Sequence, residues 1–128
     1  MGACYSVALN LTIADEKACV ETLCNKIKND SEKVNYNLEL AEKLGLSTDN
    51  LADLICIFFG GCKPSSRPHL FEDNRLEYYS DFDASYRWES VMYDAFTLIA
   101  PFLKNGSKIS VYPDEGYWNL IVENGKCK

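Results

Sequence analysis

The chain has 128 residues, 47% hydrophobic and 25% charged, which is ordinary globular usage and excludes wholesale disorder. Surface scaling gives roughly 6,900 Å² folded against roughly 21,000 Å² unfolded, enough for a single domain over residues 1–128 with a conventional core. Nineteen acidic against thirteen basic residues leave a net charge of −6, which repels polyanions and makes nucleic acid a poor partner.

The longest apolar run, Leu54 to Phe59, is too short to span a bilayer, and no basic start with an apolar block follows Met1. A cytoplasmic chain with no membrane contact is expected. Tyr5, Val7, Leu9, Leu11 and Ile13 alternate with Ser6, Ala8, Asn10 and Thr12, the period of a half-buried strand. Asp15 offers an N-cap, and Val20, Leu23, Cys24 and Ile27 recur at helical spacing until Asn29-Asp30. Residues 31–44 fit both periods, but the Ala, Leu, Glu and Lys content of 38–44 favours helix. A third helix is expected from about Thr48 to Phe59, stopped by Gly60-Gly61.

Cys62 to His69, with Pro64, Ser65, Ser66 and Pro68, predicts a loop. Leu76, Tyr78 and Phe82 then share one strand parity, and Glu77, Tyr79, Asp81 and Asp83 the other. A long helix follows from about Ser85, with Trp88, Val91, Met92, Ala95, Ile99 and Phe102 on its apolar stripe and a kink at Pro101. Two strands, Ser107–Tyr112 and Tyr117–Val122, are joined by Pro113-Asp114-Glu115-Gly116. The expected architecture is α+β in the order β-α-α-α-β-α-β-β, with helices packed on a mostly antiparallel sheet. A strand leading into a capped helix occurs twice, at 5–28 and 76–104, but without residue identity that would mark a repeat.

The six cysteines, Cys4, Cys19, Cys24, Cys56, Cys62 and Cys127, contain no C-x-x-C, and His69 is the only histidine. No standard zinc pattern follows, and buried thiols are the expectation. Met1-Gly2-Ala3-Cys4-Tyr5-Ser6 matches a short myristoylation pattern, but no basic cluster follows it. Residues 40–54 resemble the helix-turn-helix motif, with Ala41 in the first helix, Gly45 in the turn, and Leu51 and Leu54 packing the second. The positions that would face a DNA groove are Ser47, Thr48, Asp49, Ala52 and Asp53, and none is basic. Plain packing is the expectation there, with a helix-turn-helix regulator as the weakest functional alternative.

Asp81-Phe82-Asp83 places two carboxylates on one strand face, with Glu89 beyond, a set that suits a divalent cation or acid–base chemistry. Asp83 is equally a natural cap for the following helix. His69 and Cys62 share a loop, yet nothing around them resembles a nucleophile signature, and the common phosphate, dinucleotide and hydrolase motifs are absent. The stretch from Phe71 to Tyr93 combines aromatic residues with acids, and residues 72–94 carry seven acids against two bases. Core packing accounts for Tyr78, Phe82 and Trp88, but not for Tyr79, Tyr86 and Tyr93.

The expected function is therefore a non-catalytic interaction or inhibitor module without cofactor, metal or catalytic residue. Its partner would be a basic protein surface docked on Glu77, Tyr79, Asp81, Asp83, Tyr86, Glu89 and Tyr93. In size and charge the chain is similar to the small acidic inhibitor and immunity proteins of bacteria, some of which mimic nucleic acid. The alternative is a small enzyme or ligand-binding domain using Asp81, Asp83 and Glu89. Exposed strand edges or the aromatic patch could also support a homodimer.

Overall fold

In the computed structural model, which describes residues 2–30, 36, 38–61, 68–85, 87–113 and 116–128, the alternating segments become the centre of one sheet. The elements in chain order are β1 (Gly2–Thr12), α1 (Glu16–Asp30), α2 (Leu38–Lys43), α3 (Leu51–Phe59), β2 (His69–Leu70) and β3 (Arg75–Ser85). They continue as α4 (Trp88–Ile99), β4 (Lys108–Tyr112), β5 (Trp118–Glu123) and β6 (Lys126–Cys127). The sheet order is β2-β3-β1-β4-β5-β6, and each neighbouring pair is antiparallel. The fold is α+β, and its folded surface of 7228 Å² is close to the value expected from chain length.

The structure moves several expected boundaries. The first strand starts at Gly2, because Gly2 and Ala3 pair with Ser85 and Ala84, and Ile13 makes an isolated bridge to Leu103 instead of closing that strand. The Gly2 of the lipidation pattern is thus a sheet residue. The last helix begins at Trp88, not Ser85, because the preceding strand continues through Ser85. Asp83 is therefore no cap: it lies opposite Cys4 inside the sheet, and the N-cap position, Arg87, makes no side-chain capping bond. Pro101 falls in a 3₁₀ turn, Ala100–Phe102, that follows the helix.

Two short strands were not legible. His69–Leu70 begins at the last residue of the expected 62–69 loop, and Lys126–Cys127 follows a turn whose Asn124 and Gly125 both have positive φ. Of the ambiguous 31–44 stretch, 38–43 is helix, while 31–35 and 37 lie outside the described residues.

The core sits on one side of the sheet. Tyr5, Val7, Leu9 and Leu11 of β1 and Leu76, Tyr78 and Phe82 of β3 are buried with Cys19 and Leu23 of α1, and Met92, Phe96 and Ile99 of α4. The two strand–helix units pack as neighbours, since β1 pairs with β3 and α1 rests on α4.

Between them lies α3, eight of whose nine residues are buried. A buried helix must satisfy its end groups inside the protein. At its start, Asn50 accepts from the Asp53 amide at 2.8 Å, and buried Asp53 accepts from the Ser47 amide and the Asn50 side chain, both at 3.0 Å. At its end, the Gly60 amide donates to Cys56 at 3.0 Å, the Trp88 indole to Phe58 at 2.8 Å and the Ser80 hydroxyl to Phe59 at 2.6 Å. Gly60 leaves no room for a side chain, because a Cβ there would lie 1.8 Å from the Tyr78 hydroxyl oxygen.

Beside this helix, Tyr36 packs its ring on Phe58 and Trp88 and donates to Asp30, which also pairs with the buried Lys26 at 2.7 Å.

Two predictions follow from this packing. Asp53→Ala removes the acceptor of two partly buried hydrogen bonds and should lower unfolding free energy by about 2 kcal/mol in urea titrations. Burial, reinforced by Asp15 and Glu16, pushes the Cys19 thiol up from its ordinary 9.0 to about 12. The folded state then holds a proton that the unfolded chain releases. That stabilisation is complete below pH 9.0 and is lost as pH climbs towards about 12. The urea midpoint should fall across that window, and Cys19→Ala should make the fall shallower.

Candidate functional site

Strand pleating assigns every residue of β1 and β3 to one of two faces. The odd residues of β1 and the even residues of β3 face the helices, so the opposite set forms a second face. Across it, Cys4 stands opposite Asp83, Ser6 opposite Asp81, Ala8 opposite Tyr79 and Asn10 opposite Glu77. The rows extend into β4, with Tyr112 beside Ser6, Ser110 beside Ala8 and Lys108 beside Asn10, and His69 flanks Glu77 on the other edge.

Among the described residues nothing covers this face: Cys4, Asn10, Glu77, Tyr79, Asp81 and Asp83 are all exposed, Tyr79 by 62%.

Small residues floor the middle of the face and larger ones wall it. Ala8 and Ser110 lie low, Ser110 only 8% exposed, while Tyr79, Lys108, His69 and Glu77 border an open hollow of about 590 Å³. At the β4 end of the Ser6 row, Tyr112 stacks on Tyr117 with ring centroids 4.8 Å apart. At the hairpin joining β2 to β3, Phe71 carries the His69 ring on its edge at 4.2 Å and the Arg75 guanidinium over its face at 4.5 Å.

The β3 carboxylates are held in place. Asp81 accepts from the Ser6 hydroxyl and, at 3.4 Å, from the Tyr79 hydroxyl, while Asp83 accepts from the Cys4 thiol at 2.8 Å. The cross-strand donors Ser6 and Cys4 fix where the charges point, and Asp81 and Asp83 remain exposed. The charge on the face is mainly acidic: β3 presents Glu77, Asp81 and Asp83 together with Arg75, which is paired to Asp73, and β4 presents Lys108.

The expected docking set is therefore divided. Glu77, Tyr79, Asp81 and Asp83 form one row on the open face. Glu89 and Tyr93 belong to α4 in the helix layer and line a different cleft, with Trp118. Tyr86 lies outside the described residues, as does Cys62. The alternative set of Asp81, Asp83 and Glu89 is not assembled, because the strand carboxylates bond across to β1 while Glu89 faces the cleft. Among the described residues no three His, Cys, Asp or Glu side chains gather as a metal site would need.

Residues 40–54 do form two helices with Gly45 at positive φ between them, and Ala41, Leu51 and Leu54 are buried. The second helix has only Ala52 outside the core, and Asp53 is turned inward as a cap, so it offers no face to a DNA groove.

Lys108, Ser110, Tyr112 and Asn10 were missed as lining of this face, and His69 was expected only as a loop residue near Cys62. The alternation of Ile109 and Val111 with Ser110 and Tyr112 carried the signal, but only strand order places them beside Tyr79. Of the cysteines, Cys19 and Cys56 are buried as expected, whereas Cys4 is exposed on the open face. No protein-family model matches the chain, and neither a curated protein nor a solved structure matches it. No helix among the described residues is long and apolar enough to cross a membrane.

The location of Cys4 is checked by native-state alkylation. Iodoacetamide should modify Cys4 in the folded protein, while Cys19 and Cys56 should react only after denaturation, as read by peptide mass spectrometry.

Proposed function

We propose that this chain is a non-catalytic interaction module of the cytoplasm that docks a basic protein surface on its open sheet face, in the manner of an inhibitor. The observation that supports the reading most directly is the exposed row Glu77, Tyr79, Asp81 and Asp83 on β3, with no covering layer among the described residues. Carboxylates oriented by Ser6 and Cys4 steer a cationic partner towards the face, and Tyr79 supplies contact area at small entropic cost. The same charges repel nucleic acid. Lys108, on the far side of the hollow, favours a partner whose basic patch ends in an acidic or polar rim, which sets the orientation of docking.

The hollow beside Lys108 supports a second reading, the capture of a small polar ligand between Glu77 and Lys108.

The docking reading is tested by affinity capture from lysate with the tagged full chain, beside Asp81→Lys/Asp83→Lys and Tyr79→Ala. A protein retained at low salt, released as ionic strength rises, lost with the charge-reversed chain and weakened about tenfold or more by Tyr79→Ala is the expected outcome. Retention that ignores both changes, or no retained protein at all, sinks it. Thermal-shift screening of small polar ligands then tests the second reading.

A further inference from the structure

A second hollow lies on the helix side of β5, away from the open face. Trp118 opposes Val111, which is buried under the helices, so the indole turns towards α4. There it meets Tyr93, with ring centroids 5.9 Å apart and planes at 63°. Two rings set at such an angle form the walls of a corner. Glu89 lies one turn before Tyr93 on the same helix and Asp94 directly after it, and both line the cleft together with Ser90 and Asn119. The cleft measures about 420 Å³, within the range of small-molecule sites, and among the described residues none that lines it is basic.

These features select one ligand chemistry. Aromatic faces carry negative electrostatic potential and attract a cation whose charge is spread over C–H or planar N–H groups. The carboxylates add attraction for positive charge and exclude anions. A bare divalent ion is a poor match, since it demands several oxygen ligands at short range and ring carbons supply none.

We propose that this cleft binds an organic cation, an alkylated ammonium or a guanidinium group, against Tyr93 and Trp118, with Glu89 and Asp94 balancing its charge. The site is separate from the open sheet face and stands or falls independently of the docking reading.

The test is titration of the full chain with tetramethylammonium chloride and with amidated N-acetylarginine, followed by tryptophan fluorescence and by calorimetry. Trp88 is buried and Trp118 half-buried, so a fluorescence change reports on the cleft. A saturable response is expected that sodium chloride at equal ionic strength does not reproduce. Trp118→Leu, and separately Glu89→Gln with Asp94→Asn, should each weaken calorimetric binding roughly tenfold. Ile121→Thr, on the open face, should leave it unchanged.

If Trp118→Leu lacks the wild-type circular dichroism spectrum, the carboxylate variant carries the comparison, since Asp94 is exposed and Glu89 only half-buried. Saturation by tetramethylammonium identifies a small free cation as sufficient, and a response confined to the arginine derivative identifies a partner's side chain. No saturable response to either probe, or full binding retained by the variants, overturns the proposal.

Discussion

Everything in this molecule depends on one steric rule, that successive side chains of a strand point to opposite faces, being obeyed over the full length of β1 and β3. Each strand has eleven residues, and they pair in register from Gly2–Ser85 to Thr12–Arg75. Along β3 the rule is strict: residues 75 to 83 alternate between exposed and buried without exception. A slip of one residue would put Asp81 and Asp83 among Phe96 and Met92, and Tyr78 and Phe82 into water. Burying unpaired carboxylates costs far more than any compensating contact could return, so the register has no close competitor. The bare face is a consequence of the same rule, because the apolar residues of both strands are used on the helix side.

The helix layer must then be closed without stranding polar groups. The α3 segment is nearly all apolar and therefore belongs in the middle of that layer, but a helix buried at its end brings unpaired carbonyls with it. Ser80 and Trp88 meet that demand from the strand and helix that follow in the chain. Ser80 is informative, because it is the polar member of an otherwise apolar row on β3. Its hydroxyl ties the C-terminus of α3 to the sheet, and the Trp88 indole ties it to the start of α4. These bonds set the separation of the two layers beneath the acidic row, and so support the face without touching it.

Much of this was legible in the sequence where a residue's own period determines its place. The alternation in 5–12 and 76–83 identified both central strands and the side on which Tyr79, Asp81 and Asp83 would lie. The Asp15 cap, seen as an Asp15 carboxylate accepting from the Ala18 amide at 3.1 Å, was equally visible. What could not be read depended on partners distant in the chain. His69–Leu70 is a strand only because β3 is there to pair with it, and Lys126–Cys127 only because of β5. Asp83 had the residue type and position of a helix cap, but pairing with β1 holds its segment extended past that point. The grouping of Glu89 and Tyr93 with the strand residues failed for a related reason: linear proximity cannot say on which side of a sheet the chain continues.

That division changes the meaning of the acidic segment 72–94. As composition it is one patch, yet the chain passes from strand to helix partway through it. Its first half is displayed on the open face, and its second half, with Glu89 and Asp94, lies in the helix layer beside Trp118. The sheet stands between these two groups of charge, so they do not act as one docking surface for a partner of ordinary size. On the open face the carboxylates stand in a line roughly 7 Å apart from Asp81 to Asp83, accessible to a broad surface and ending at Lys108 across the hollow. In the cleft the two carboxylates of α4 stand beside an aromatic corner with room for a small group. A linear, solvated array suits many weak contacts with a basic surface, whereas an aromatic corner in an open cleft suits one cation held against its rings. Under both proposals the acidity of segment 72–94 is therefore divided between two sites of different geometry.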